Sequence, residues 1–105
     1  MMLVNIESPF AGDVEKNVEY ARACMADCLK RGEAPIASHL LYTQPGILKD
    51  ELPEERALGM QAGFAWNKKA HKTVVYVDFG ITEGMKKGIE AAELDGRPVE
   101  MRRLW

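Results

Sequence analysis

The stretch "KTVVYVDFGITEGMKKGIEAAELDGRPVEMRRL", residues 72–104, is the part of the sequence that decides the fold. Its apolar run "KTVVYV" is typical of a strand that is buried on both faces, as the strands of parallel sheets are. Residues 82–94 follow with helical spacing, and Gly96 then ends the helix before the strand-like "RPVEMRRL". The apolar stripe of this helix comprises Met85, Ile89 and Ala92. A strand, a helix and a second strand in this order predict a right-handed crossover between parallel strands.

The preceding half of the chain shows the same alternation. "MLVNIES" predicts a first strand, and Asp13 has the chemistry of an N-cap for a helix that begins near Val14. Gly32 ends that helix, and "APIAS" predicts a short second strand. Pro53 suits the first turn of a further helix that runs to about Lys69. The predicted buried stripe of the first helix comprises Val14, Val18, Ala21, Met25 and Cys28.

The order β-α-β-α-β-α-β predicts one domain, residues 1–105, built as a three-layer α/β sandwich around a four-stranded, mainly parallel sheet. Such sheets bind ligands beyond the carboxyl ends of their strands. The segments Ser8–Asp13, Ser38–Gln44 and Asp78–Met85 are predicted to meet there. The loop that begins at His39 is long for a small domain, and loops of this length are usually functional. Gly59 and Gly63, four residues apart, predict that another backbone packs closely against their helix.

Composition narrows the function classes. The 14 basic and 16 acidic residues are too balanced for a nucleic-acid-binding surface. The sequence has no apolar run of about 18 residues that would predict a membrane span, and "MMLVNIESPF" lacks the features of a signal peptide. Cys24 and Cys28 are expected to be free, buried thiols in a reducing cytoplasm rather than a disulfide or a metal pair. We therefore expect a cytoplasmic protein with no metal and no cofactor.

Two segments together resemble a known family. "ESPFAGDVEKNVEYARACMADCLKRGEAPIASHLLYTQ" is similar to the first-loop and "HLLY-x-Q" motifs of small proteins related to nucleoside 2-deoxyribosyltransferases. "GITEGMKKGIEAAELDGRPV" resembles the final helix of the same proteins. The resemblance covers nearly the whole chain. It implies a flavodoxin-like or Rossmann-like sheet, a nucleoside or nucleotide ligand, frequent homo-oligomerisation, and bacterial or phage origin.

The chemistry that the resemblance implies is cleavage or exchange of an N-glycosidic bond. Breaking that bond builds positive charge on the sugar, which a carboxylate beneath the anomeric carbon stabilises or attacks. Free N–H groups at a helix N-terminus can hold a phosphate or a sugar hydroxyl. The resemblance places Gly80, Thr82, Glu83, Gly84 and Met85 at the phosphate or ribose, and Ser8, Pro9 and Phe10 beside the base and sugar.

Two positions depart from the family pattern. Gly88 stands where relatives carry the nucleophilic glutamate, and Asn5 stands where many carry a tyrosine. Asp78 and Glu83, at the strand end and the turn, are the candidates to replace the missing carboxylate, whereas Glu90 is predicted to point away from the site. Alternatively, Gly88 only permits close helix packing.

Several candidate residues have a second interpretation. Thr82 suits an ordinary N-cap, and His39 with Tyr42 suits either a ligand-facing position or structural packing. The sequence thus predicts a nucleoside- or nucleotide-binding protein, and an N-glycosidase or deoxyribosyltransferase if it is active. The alternatives are a non-catalytic nucleotide sensor, a phage-type sponge for a signal nucleotide, or a structural oligomeric module. The expected partners are a small nucleoside or nucleotide and further copies of the chain, with no nucleic-acid polymer and no membrane.

Overall fold

The computed structural model describes all residues, Met1–Trp105, and contains four strands and four helices. In chain order the elements are β1 Met2–Glu7, α1 Val14–Lys30, β2 Glu33–Ile36, α2 Ser38–Leu41, α3 Pro53–Asn67, β3 Lys72–Tyr76, α4 Glu83–Leu94 and β4 Val99–Arg102. The predicted alternation is confirmed. One short helix, α2, begins within the predicted second strand, because "APIAS" leaves the sheet after Ile36 and Ala37 becomes an N-cap. No helix is long and apolar enough to cross a membrane.

The sheet has the strand order β2-β1-β3-β4, and all three pairs of neighbours are parallel. The predicted four-stranded parallel sheet is thus confirmed. From β1 the chain first adds β2 on one side and later β3 on the other. The strand order therefore reverses between β1 and β3, and the carboxyl ends of these two strands border the crevice where open α/β sheets bind ligands.

The core lies between the sheet and α1, and its α1 face differs from the predicted one. Val14 is exposed, and the buried face of α1 comprises Asn17, Tyr20, Ala21, Cys24 and Cys28. The predicted stripe is partly wrong because the true face includes polar groups that hydropathy does not select. Asn17, for example, is buried because its amide donates to the carbonyl oxygens of Phe10 and Ala11 at 2.9 and 3.2 Å. This contact fixes the first loop against α1.

Two predicted N-caps are confirmed. The Asp13 carboxylate accepts from the backbone N–H of Lys16 at 3.2 Å, and the Thr82 hydroxyl accepts from the backbone N–H of Met85 at 3.2 Å. Each bond satisfies one of the free donors of a helix start. Because Thr82 caps α4, it also fixes where the first turn of α4 points at the rim of the sheet.

A close approach is present at Gly59 and Gly63, but the approaching groups are side chains and not the predicted backbone. A Cβ at Gly63 would overlap the Ser38 side chain at the start of α2, and a Cβ at Gly59 would lie 3.2 Å from Leu48 Cδ1. Because Gly59 and Gly63 carry no side chains, α2 and the loop that follows it can lie against this face of α3. This packing positions the segment that carries His39.

We expect Gly63→Ala to lower the free energy of unfolding by about 1–3 kcal/mol, because the added methyl group overpacks the α2–α3 contact. Gly59→Ala is the matched control on the same helix, since Leu48 has only to move slightly, and its loss is expected to be smaller. Urea unfolding followed by circular dichroism measures both variants. Equal stabilities for Gly63→Ala and the parent protein would contradict the packing described here.

Candidate functional site

A cavity of about 280 Å³ opens at the carboxyl ends of the strands. Its walls come from the end of β1, the first loop, α2, one face of α3 and the first turn of α4. The structure brings seven of the sequence-predicted site residues together here: Ser8, Phe10, His39, Thr82, Glu83, Gly84 and Met85. Loop residues 43–53 form a wider groove of about 860 Å³, which shares Phe10, Asp50 and Arg56 with the cavity.

Four other candidates do not line this cavity. Tyr42 lines a small adjoining hollow of about 70 Å³, while Pro9 and Gly80 shape the loops behind the walls. Gly80 has a φ of 86°, a backbone conformation that glycine adopts without strain. Its place in the turn before α4 is therefore explained by backbone geometry alone.

Asp78, a predicted catalytic residue, has a different environment. Its carboxylate accepts from the Tyr20 hydroxyl at 2.5 Å and from the backbone N–H groups of Leu104 and Trp105 at 3.0 to 3.3 Å. Burial opposes its charge, but these hydrogen bonds hold the pKa of Asp78 below its ordinary value. The carboxylate joins the C-terminus to β3 and α1, so we do not carry it into the proposed site.

Glu7, a residue that the sequence did not single out, is one of three acids that line the cavity, with Asp50 and Glu83. It ends β1 and lines the cavity, and its carboxylate occupies the space beside Gly88 of α4. A Cβ at Gly88 would overlap that carboxylate. Gly88 is thus required by a close approach, and the approaching group is an acid from the neighbouring strand. The sequence signal that could have identified Glu7 is its position as the last residue of a buried strand, directly before the first loop.

The electrostatic state of Glu7 follows from its surroundings. Burial raises the pKa of Glu7 from an ordinary 4.5 to about 7, although a hydrogen bond from Asn5 and the charge of Arg97 oppose the increase. Asn5 Nδ2 donates to Glu7 Oε2 at 3.1 Å, while Asn5 Oδ1 is buried without a partner. Asn5 and Glu7 share one face of the sheet, as residues two apart on a strand must. Asn5 therefore fixes one carboxylate oxygen of Glu7.

Ser8 and His39 form a second polar pair in the cavity. Ser8 Oγ lies 2.7 Å from His39 Nε2, at hydrogen-bond distance. Burial lowers the pKa of His39 from 6.5 to about 4, so the imidazole is neutral at pH 7. A neutral imidazole has one donor and one acceptor nitrogen, and Nδ1 is left for a further contact.

The first turn of α4 and one face of α3 contribute unsatisfied hydrogen-bonding groups. The backbone N–H groups of Glu83 and Gly84 have no acceptor within the chain, as expected at a helix start. Arg56 forms no ion pair, and its Nη2 lies 3.9 Å from the position that a Cβ at Gly84 would take. Asn67 is 3 % exposed and lines the cavity, yet its Oδ1 has no partner. The cavity thus offers donors and a cation that the chain itself does not use, whereas Asn67 Oδ1 is an unpaired acceptor closed off from solvent.

Comparison with protein families gives one match. The profile of a family described as a domain of unknown function, DUF7768, matches residues 2–102. The chain belongs to the DUF7768 family. The match includes all four strands and the four helices, so the cavity lies wholly within the family's domain. None of the curated proteins matches this member of the family.

A solved structure is similar to this DUF7768 domain in fold. It is a 2-deoxyribosyltransferase from Bacillus psychrosaccharolyticus, with a TM-score of 0.66 and 19 % sequence identity. The similarity covers 96 % of this chain and 72 % of the transferase chain. The predicted three-layer α/β fold of the deoxyribosyltransferase type is therefore confirmed. At this identity the likeness concerns the fold, and the residues of the cavity have to be argued from their own geometry.

Proposed function

We propose that this protein binds a nucleoside or nucleotide in the cavity at the carboxyl ends of β1 and β3. The observation that carries the proposal is that free donors and an unpaired cation lie together at one cavity. The N–H groups of Glu83 and Gly84 have no acceptor within the chain, and the Arg56 guanidinium forms no ion pair. Donors at a helix start together with a guanidinium favour an anionic ligand group such as a phosphate.

The walls suit the three parts of a nucleotide. The α4 N-terminus, whose first-turn N–H groups and helix dipole favour an anion, receives the phosphate together with the Arg56 guanidinium. The ring of Phe10 offers a surface on which a base stacks, and Ser8 with His39 borders the sugar. The likeness to a 2-deoxyribosyltransferase fold supports this ligand class. A partly enclosed cavity of about 280 Å³ fits a small ligand better than a polymer.

Two functions are compatible with this binding step. The first is cleavage or exchange of the N-glycosidic bond of the ligand, and the second, which Gly88 favours, is binding without turnover. Because Gly88 has no side chain, α4 offers no carboxylate at the position where the resemblance implies a nucleophile. The protein would then be a nucleotide sensor or a sponge for a signal nucleotide. The two candidates share the binding step and differ only in whether a base is released.

A thermal-shift series tests the binding step. We expect nucleoside 5′-monophosphates at 100 times their Kd to stabilise the protein by about 2.7 kcal/mol. Arg56→Gln is expected to weaken the binding of monophosphates about tenfold and to leave the affinity for unphosphorylated nucleosides unchanged, since the guanidinium contacts only the phosphate. Lys87→Gln is the matched control, because it removes an exposed positive charge from α4 outside the cavity. Unchanged melting temperatures with every nucleoside and nucleotide at millimolar concentration would overturn the proposal.

Homo-oligomerisation remains a prediction, and we propose it for this chain on two observations. The edge strands β2 and β4 leave backbone groups unpaired on both sides of the sheet. On α3, Leu58 and Trp66 are 54 % and 59 % exposed, and they offer apolar surface to a second copy of the chain. Sedimentation velocity at several protein concentrations measures the association.

A further inference from the structure

Glu7 is a half-buried acid without a cation partner, unlike Glu33, which is buried and paired. Glu33 forms a two-pronged ion pair with Arg102, at 2.7 Å for each oxygen. Glu7 forms no ion pair, and its one hydrogen bond comes from the neutral amide of Asn5. Burial of a carboxylate without a cation is unfavourable for stability. A purely structural role would favour a paired acid or an apolar residue at this position.

The rest of the cavity is arranged around this acid. Gly88 lacks the side chain that would displace it, and Asn5 Nδ2 holds Oε2 at 3.1 Å, which leaves Oε1 without a protein hydrogen-bond partner. The N-terminus of α4 and the Ser8–His39 pair line the same cavity. A ligand anchored by these groups would have its sugar within the reach of one fixed carboxylate.

We propose that Glu7 is the catalytic carboxylate of this cavity and that it cleaves the N-glycosidic bond of the bound nucleoside or nucleotide. The inference rests on the proposed function, since it requires that ligand. The catalytic acid of this protein then belongs to β1 and not to α4. Asn5 is then a positioning residue, which acts on the substrate through Glu7.

The reaction is balanced with water as the co-reactant. An oxygen of ionised Glu7 forms a bond to the anomeric carbon while the bond from that carbon to the base nitrogen breaks. The electron pair leaves with the base, which takes a proton from water. The first water molecule is thereby left as hydroxide. A second water molecule then adds to the anomeric carbon while the bond from that carbon to the Glu7 oxygen breaks. The proton that the second water loses neutralises the hydroxide. The net products are free base and free sugar or sugar phosphate.

The pH dependence of base release follows from the groups around Glu7. The ionised form is the reactive one, and burial raises its pKa to about 7, so release should increase with pH through about 7 and then reach a plateau. The charged or titratable groups nearest the acid lie on separate elements: Arg97 before β4, His39 on α2, Arg56 on α3, Glu83 on α4 and Asp50 in the loop before α3. His39 is already neutral above pH 5 because burial lowers its pKa to about 4. The increase between pH 6 and 8 therefore reports on Glu7.

The experiment measures base release by chromatography and ligand affinity by thermal shift, with deoxynucleosides and their 5′-monophosphates. We expect Glu7→Gln to reduce base release about 10³-fold or more and to change ligand affinity by less than about fivefold. Glu90→Gln is the matched control, because Glu90 is an exposed acid of α4 outside the cavity, and it should release base at the parent rate. The exchange variant Glu7→Ala with Gly88→Glu should recover part of the release that Glu7→Ala loses.

The outcomes separate the two proposals. Binding without base release by the parent protein, or undiminished release by Glu7→Gln, would overturn the role of Glu7 and leave the binding function standing. The absence of both binding and release would overturn both. Glu7→Gln is nearly isosteric and removes a buried charge, so a loss of release in this variant is not explained by unfolding. Its melting temperature provides that check.

Discussion

Glu33→Ala is expected to lower the free energy of unfolding by about 3–5 kcal/mol, one of the two largest stability changes that the structure predicts. Glu33 begins the edge strand β2 and Arg102 ends the opposite edge strand β4; the two residues are 8 % and 6 % exposed. Both guanidinium Nη atoms of Arg102 donate to the two oxygens of Glu33 at 2.7 Å. Removal of Glu33 leaves a buried cation without its principal partner, and this desolvation cost dominates the loss.

Arg31→Gln is the matched control for Glu33→Ala. Arg31 pairs with Asp27 on the surface of α1 and is 46 % exposed at its side chain, so its loss should cost less than about 1 kcal/mol. Urea unfolding at pH 7 measures both variants. The double replacement of Glu33 and Arg102 by methionine should cost less than Glu33→Ala, because no unpaired guanidinium is left buried and the remaining members of the network, Lys72 and Glu100, still pair at 2.8 Å. Equal losses for Glu33→Ala and Arg31→Gln would show that the pair is not desolvated.

The same ion pair contributes to the response of the protein to acid. Hydrogen bonds from Arg102, which outweigh the opposing effect of burial, lower the pKa of Glu33 from 4.5 to about 2. A carboxylate with a lowered pKa in the folded state stabilises that state at every pH above its unfolded value. The contribution of Glu33 is therefore complete above about pH 4.5 and is lost as the pH falls towards 2.

Glu7→Gln is expected to have the opposite effect on stability and to raise the free energy of unfolding at pH 8 by up to about 3 kcal/mol. The folded state raises the pKa of Glu7 from 4.5 to about 7, so between these values it binds more protons than the unfolded chain. Stability then decreases as the pH rises through this range and stays reduced above it. Glutamine keeps the size of the side chain and its hydrogen bond from Asn5, but it carries no charge to be desolvated.

Measurement at two pH values isolates this effect. Below about pH 4.5 Glu7 is protonated in both states, so the parent protein and Glu7→Gln should have nearly equal free energies of unfolding. The difference should grow between pH 5 and 7 and be constant at pH 8. Glu83→Gln, an exposed acid at the same cavity, should show no such growth. Parallel stability curves for Glu7→Gln and the parent protein would mean that Glu7 is not held in a desolvating environment. Together with the loss of base release, a more stable variant would show an acid retained for function at the expense of stability.

The sequence by itself determined the architecture, because each element carries its own local signal. The continuous apolar run of β3 predicted a parallel sheet. Asp13 and Thr82 predicted the starts of α1 and α4, which the Asp13 carboxylate and the Thr82 hydroxyl cap. Parallel strands have their carboxyl ends at one rim of the sheet, and this rule predicted that Ser8 and His39 lie near Thr82. In the structure all three residues line one cavity. Each of these inferences uses only spacing within about one element or a general rule of sheet topology.

Only the tertiary structure decided that an acid lies against Gly88. Glu7 and Gly88 belong to different elements far apart in the sequence, and neither has a local pattern that refers to the other. The space that a side chain at Gly88 would take on α4 is occupied by the Glu7 carboxylate of β1, because these two elements pack together only in the folded chain. Asp78 is left out of the proposed site for a similar reason. Its carboxylate is bonded to Tyr20 and Leu104, and these residues become its neighbours only when the chain folds. Periodicity determines where strands and helices form, whereas the environment of a buried charge depends on every element that packs around it.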